Sequence, residues 1–369
     1  MSNNAQLTAK SLFNVEDWVC VVSGGGTGIG LMITQAYANN GARVYILGRR
    51  EDVLKKTAET YGAGLANPRG KIIPVVCDIT DKTSLEQAVQ TVRQNEDHVD
   101  VLVNNSGVTK GESEFTKGDR DVTALARELW SEEQSDWEDV YRTNVIGHFF
   151  TAVAFLPLLA ETAKSQAGHT GCVINVTSVA GITSDSLGHI SYNISKGAAI
   201  QLSTTLAQEF RRQAVRVRVN NIAPGYFPTE MLTQESDEHN KSRIADPDFG
   251  RKFGIPAGRA GGDKDMAQAA LLLACNEYAY GETLIIDGGF LLEHPYRREQ
   301  QSMVKKAYTY TFHTPIPTHA GEEEISYTRA AAEEHTTLLK AQSRSSRKRR
   351  PRTGSAGIVI AYERRREVQ

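Results

Sequence analysis

The sequence predicts a doubly wound α/β fold built on a parallel sheet of about seven strands. Three observations lead there: alternating strand-like and helical segments through the first 290 or so residues, a glycine-rich turn directly after the first apolar strand, and a helical pattern directly after that turn. Strands are expected near 18–23, 42–47, 71–77, 99–104, 171–177, 215–221 and 282–286. Ile29, Met32, Ile33, Ala36 and Tyr37 follow the spacing of one buried helical face, and Gly41 is placed to cap that helix. Pro74 cannot donate to a ladder, so the third strand belongs at a sheet edge, and the order 3-2-1-4-5-6-7 puts it there. Two polar, charged segments, Val108 to Asp136 and Tyr226 to Gly262, break the rhythm. They read as functional loops, the second as a substrate lid.

The 369 residues are read as an N-terminal extension over 1–14, one domain over 15–292, and a tail over 293–369. The formal charge of −2 conceals an asymmetry, since residues 296–369 hold fifteen Lys and Arg against eight Asp and Glu, leaving the body acidic. The tail is poor in large apolar residues and is expected to be disordered. Its run Arg347-Lys348-Arg349-Arg350-Pro351-Arg352 resembles a nuclear-import signal. No aromatic residues interleave with it, so nucleic-acid binding is not expected. The first apolar run, Trp18 to Val22, is too short to span a membrane, and no secretion signal precedes it, so the expectation is a cytoplasmic protein with no membrane partner. Cys20, Cys77, Cys172 and Cys275 lie far apart, with no Cys-x-x-Cys and no nearby His cluster, and are read as buried thiols; no metal is expected.

The glycine turn runs Ser23-Gly24-Gly25-Gly26-Thr27-Gly28-Ile29-Gly30. Glycine there lets the backbone turn tightly and approach a pyrophosphate, while the helix N-terminus offers unpaired N–H groups and partial positive charge. An ordinary NAD site carries an acid at the end of the second strand to take the ribose hydroxyls. Here that strand ends in Gly48-Arg49-Arg50, and Arg49 is placed to hold a 2′-phosphate with its planar fork of donors. The expected cofactor is therefore NADP, with NADPH preferred over NADH.

Taken together the motifs resemble the short-chain dehydrogenase/reductase family over residues 15–292. The family's Thr-Gly-x-x-x-Gly-x-Gly corresponds to Ser23-Gly24 with Gly28 and Gly30, and its Asn-Asn-Ala-Gly to Asn104-Asn105-Ser106-Gly107. The resemblance implies a Rossmann-type single domain, a cofactor contact at Asn105, an adenine contact at Asp78, and nicotinamide-side contacts at Pro224-Gly225 and Thr229. Asp287-Gly288-Gly289 matches the family's usual ending. It also implies a catalytic set of Asn144, Ser178, Tyr192 and Lys196, with Lys196 on the nicotinamide ribose and Asn144 holding a water that relays protons to Lys196.

Tyr192 and Lys196 are one helical turn apart and project from one face. The lysine cation and a positive nicotinamide should lower the phenol's pKa by roughly 1–3 units, and Tyr192 would then act as acid/base. Ser178 would hydrogen-bond the substrate oxygen as charge develops. The implied protein is an NADPH-preferring ketoreductase or alcohol dehydrogenase taking a small carbonyl or alcohol substrate. Similarity to fungal 3-oxoacyl reductase-like members suggests a 3-oxoacyl substrate or a role in secondary metabolism. A homodimer or homotetramer through helices near 137–163 and 189–213 is expected. The alternative is a non-catalytic NADP(H)-binding regulator of the same fold, which could dispense with the tyrosine or the lysine.

Overall fold

In the computed structural model, seven strands form one all-parallel sheet in the order β3-β2-β1-β4-β5-β6-β7. The structure describes residues 3–113, 121–165 and 168–294. The strands are β1 (Val19–Ser23), β2 (Arg43–Gly48), β3 (Lys71–Val76), β4 (Val101–Asn104), β5 (Cys172–Val176), β6 (Arg218–Pro224) and β7 (Thr283–Ile286). Each lies within three residues of its expected start, and β6 runs three residues further than the sequence suggested. Pro74 pairs with Ile46 on the outermost strand, where its missing N–H disrupts no second ladder.

Helices cover both faces, as a parallel sheet requires. On one side α1 (Gly28–Asn39) and, late in the chain, Asp263–Cys275 pack Met32, Ile33, Tyr37, Met266, Ala270 and Leu273 against Cys20, Val22, Val44 and Ile174. Leu54 of the helix that follows β2 joins this same core, and the other side is covered by helices from the middle of the chain. After α2 (Glu51–Gly62) come α3 (Lys82–Arg93), α4 (Val122–Trp130), α5 (Gln134–Tyr141), α6 (His148–Ser165), α7 (Ile190–Phe210) and α8, the Asp263–Cys275 helix just named. From these, Leu85 and Val92 of α3, Phe155 and Leu159 of α6, and Leu206 and Phe210 of α7 meet Val19, Val21, Leu102 and Val173. Neighbouring residues of β1 thus serve opposite cores, the period of two that makes a central strand continuously apolar.

The expectation of a loop from Val108 to Asp136 is corrected. Helix α4 lies inside it, started by Asp121, whose Oδ1 accepts the Thr123 N–H at 2.8 Å, and α5 begins at Gln134. None of the α4 side chains is buried, so no core-facing stripe announced it. The segment Tyr226 to Gly262 does lack long elements; it carries two short helices, Glu230–Thr233 and Phe249–Lys252.

The run Gln134–Ser165 has the length and mean hydropathy, 1.6 over its most apolar window, of a membrane span, but 44% of that window is buried inside this domain. It is read here as a core helix. Cys20, Cys77 and Cys172 are buried free thiols, and Cys275 is half-buried. The tail expected over 293–369, including the basic run 347–352, lies outside the described residues apart from Glu293 and His294.

Candidate active site

A cavity of about 650 Å³ opens at the C-terminal ends of the strands, where the order reverses between β1 and β4. One end is the glycine turn. Gly24 and Gly28 sit at φ +64° and +52°, which disfavours any other residue. Gly30 has ordinary backbone angles but no room: a Cβ there would lie 2.1 Å from the Gly24 carbonyl oxygen. The turn thus folds flat against the start of α1, leaving the helix N-terminus open to the cavity. Gly24, Thr27, Gly28, Ile29, Arg49, Asp78, Asn105 and Thr229 all line this end.

Two residues expected to meet the cofactor do not reach the cavity. Ser23 is fully buried, and its Oγ accepts the backbone N–H groups of Asn105 and Ser106 at 3.0 and 3.1 Å. Gly30 acts through close packing. Both shape the cradle from behind. Asn105 Nδ2 donates to the carbonyls of Ser23 and Gly24, fastening β4 to the turn. Asp78 lines the wall while its Oδ1 accepts from the backbone N–H and hydroxyl of Thr80 at 2.9 and 2.8 Å.

The other end holds Ser178, Tyr192 and Lys196, which the fold brings together from β5's end and α7. Ser178 Oγ accepts the Ala180 N–H at 3.1 Å, capping a single turn, and the Ser178 hydroxyl is hydrogen-bonded to the Tyr192 phenol. Lys196 Nζ lies 5.5 Å from the Tyr192 ring centroid and donates to the Val176 carbonyl at 3.0 Å. The expected lowering of the Tyr192 pKa is not produced by the protein's own groups. Burial dominates and pushes the phenol up to about 12, with the Ser178 hydrogen bond pulling the other way. Burial likewise brings the Lys196 ammonium down to about 8.

Asn144 sits in a π-helical turn, Arg142–Gly147, between α5 and α6, a local widening often found at functional sites. It is fully buried and does not line the cavity. Its Oδ1 accepts the Val108 N–H at 2.9 Å, and its Nδ2 donates to the Val108 carbonyl and to Ser195 Oγ at 2.9 and 3.0 Å. The amide therefore clamps the loop following Gly107 to the helix carrying Lys196.

Several residues with evident roles in the site had no sequence signal. His148 is buried and its Nε2 donates to the Ser106 carbonyl at 2.7 Å; burial first, and then the Lys196 charge, depress its pKa to about 3, so it stays neutral. Glu230, 180 residues from Arg50, pairs with it at 2.7 Å across the rim of the cradle. Nothing in the spacing of either residue foretells the contact. The far wall is apolar, with Leu187, Tyr226, Met231, Leu232 and Phe253, beside the polar Glu112 and His189.

This constellation agrees with the comparisons. A short chain dehydrogenase family model matches residues 18–240. The chain belongs to the short-chain dehydrogenase/reductase family, a family of oxidoreductases. Short-chain dehydrogenase/reductase PhomF of Diaporthe leptostromiformis is 33% identical over 299 residues, covering 78% of this chain and 96% of the relative. The rhamnolipids biosynthesis 3-oxoacyl-[acyl-carrier-protein] reductase of Pseudomonas aeruginosa is 32% identical, covering 76% and 98%. Among solved structures, the Pseudomonas aeruginosa RhlG/NADP active-site complex superposes with a TM-score of 0.63 at 31% identity, covering 76% of this chain and 98% of that one. A gluconate 5-dehydrogenase from Burkholderia cenocepacia in complex with NADP and tartrate gives 0.61 at 25% identity, covering 77% and 99%.

Proposed function

We propose that this short-chain dehydrogenase/reductase is an NADPH-preferring ketoreductase that protonates its substrate oxygen from Tyr192. The observation that carries the reading is the placement of Tyr192 in one cavity with Ser178, Lys196 and a phosphate cradle.

The cradle fits a dinucleotide phosphate. The missing Cβ at Gly30 lets the turn pack flat behind it, the α1 N-terminus opens onto it, and Arg49 stands on its rim with no ion pair among the described residues. Arg49 would hold the 2′-phosphate, Asp78 and Asn105 would border the adenine and central portions, and Thr229 would flank the nicotinamide side. When bound, the nicotinamide supplies the hydride. Two solved neighbours were captured with NADP, which supports the same choice.

Ser178 donates to the substrate oxygen, where negative charge grows, and Tyr192 gives that oxygen its proton. A phenol held near 12 is protonated at neutral pH, the form needed for reduction, and a new alkoxide is basic enough to take its proton. Lys196 brings positive charge beneath the phenol and a donor for the ribose. Asn144 positions Lys196 through Ser195 and keeps the Gly107–Val108 backbone in place.

The substrate is a ketone or β-keto acyl group with an apolar body, matching Leu187, Tyr226, Met231, Leu232 and Phe253. Curated relatives named as 3-oxoacyl reductases and fungal short-chain reductases support this class. The protein is further proposed to be a cytoplasmic homodimer or homotetramer. Ile146, Phe149 and Val153 on the Gln134–Ser165 run and Ile194 on α7 are 36–48% exposed and form apolar surface of the kind that subunit contacts cover.

The test is NADPH oxidation against a panel of ketones and β-keto thioesters, comparing wild type with Tyr192→Phe. The variant should bind NADPH within about threefold of wild type and lose turnover by roughly 10²- to 10⁴-fold. Equal turnover by both proteins rejects the mechanism.

A further inference from the structure

On the rim of the cradle one arginine is already engaged. Arg50 Nη2 donates to Glu230 Oε2 at 2.7 Å, and Nη1 reaches Oε1 at 3.4 Å. The same carboxylate accepts Ser236 Oγ at 3.0 Å and Thr27 Oγ1 at 3.5 Å. Thr27 is the residue just before the α1 N-terminus, and Thr27, Arg50 and Glu230 all line the cavity with Arg49. Burial alone would raise the Glu230 carboxyl, but the Arg50 and Ser236 hydrogen bonds hold it below its ordinary range, so it is an anion at neutral pH. An anion has thus been brought by the β6–α8 segment to the place where the cradle gathers its cationic and N–H donors.

We propose that Glu230 is an internal competitor for Arg50, a second arginine on the rim beside Arg49, and so sets how strongly the protein prefers a 2′-phosphorylated dinucleotide. This rests on the NADPH reading above. Arg50 has one fork of donors, and Glu230 takes it with two contacts. A 2′-phosphate that recruits Arg50 must draw that fork from Glu230, and the carboxylate left behind repels the phosphate. A dinucleotide without the 2′-phosphate makes no claim on the fork, so its binding is less affected. Arg50 and Glu230 retain 57% and 28% side-chain exposure, so the exchange needs no core rearrangement. Glu230 also precedes Met231 and Leu232 on the apolar wall, so its release bears on the substrate end of the same cavity.

The experiment is fluorescence titration of the full-length protein with NADPH and with NADH, at low and moderate salt, for wild type, Glu230→Gln and Ser236→Ala. Glu230→Gln should tighten NADPH by about two- to fivefold, the scale of an accessible ion pair, and NADH by less, so the NADH/NADPH ratio of Kd rises. Ser236→Ala, which removes one tether and keeps the charge, should shift the ratio the same way but less. In an Arg50→Gln background there is no fork to compete for, so the effect of Glu230→Gln on the ratio should shrink to what the carboxylate's repulsion of the phosphate supplies by itself. Melting temperatures report whether each variant is folded. An unchanged or lowered ratio in folded Glu230→Gln overturns the competitor role while leaving the NADPH reading intact. A wild type with no preference for NADPH, and no response to Arg49→Gln, overturns both.

Discussion

Ser23 and Asn105 hold each other across the sheet switch point: the Ser23 hydroxyl accepts the Asn105 backbone N–H at 3.0 Å while the Asn105 side chain donates to the Ser23 carbonyl at 3.0 Å. Each residue fixes the other's backbone, and between them they set the width of the cradle. Replacing Ser23 with Ala leaves two partly buried N–H groups, those of Asn105 and Ser106, short of their acceptor. The expected cost is about 1–3 kcal/mol in chemical denaturation, with weakened NADPH binding in titration. Ser23→Thr keeps the acceptor and should retain most of both.

Gly30→Ala should weaken NADPH binding by more than about tenfold while the protein still melts cooperatively, because a Cβ would stand 2.1 Å from Gly24 O and 2.5 Å from Asn105 Nδ2. Gly62→Ala is the control, since nothing lies within 4 Å of its would-be Cβ. Equal Kd values for the two variants would contradict the packing role assigned to Gly30.

The pH profile should show one limb in the accessible range. Lys196 is held to about 8 by burial and Tyr192 to about 12, so of these two the lysine is the one that loses its proton between pH 6 and 10. With the cation required, kcat/KM for NADPH should be level at low pH and fall as pH rises through about 8. Lys196→Met should be slow and independent of pH across that interval. A fall that persists in this variant would assign the limb elsewhere.

At the opposite end of the sheet, His169 donates from both ring nitrogens, Nε2 to Asp100 at 2.9 Å and Nδ1 to Glu277 at 2.7 Å, so the imidazole must be a cation. Burial opposes the charge, yet the two carboxylates raise it to about 9; Asp100, which burial would raise, is held down at about 2 by His169, His98 and the Val19 N–H. Because the histidine's folded pKa lies above its unfolded value, this stabilisation is complete below about 6.5 and disappears as pH rises through about 9. The Asp100 contribution is present above about 4 and is lost as pH falls through about 2. Melting temperature should therefore decline from pH 6.5 to 9. His169→Gln should abolish that decline and destabilise by roughly 2–3 kcal/mol at pH 6. NADPH affinity should not change, since the cluster lies at the strand starts, away from the cavity.

Much of the site was legible because its chemistry is local. The glycine turn, the one-turn spacing of Tyr192 and Lys196, and Pro74 on an edge strand each follow from backbone geometry within a few residues. Strand positions were readable from apolar runs, whereas α4 was missed because it buries no face.

What the sequence alone determined was the doubly wound fold, the strand order and the residue types gathered at the strand ends. Tertiary structure decided which of these face the cavity: Ser23, Gly30 and Asn144 support it from behind, and Glu230 reaches Arg50 from 180 residues away. It also decided the proton affinities, moving Tyr192 up where neighbouring charge had been expected to move it down. The physical reason is that burial and long-range pairing depend on what surrounds a side chain in three dimensions, while turns, caps and periodicity are written by neighbours along the chain.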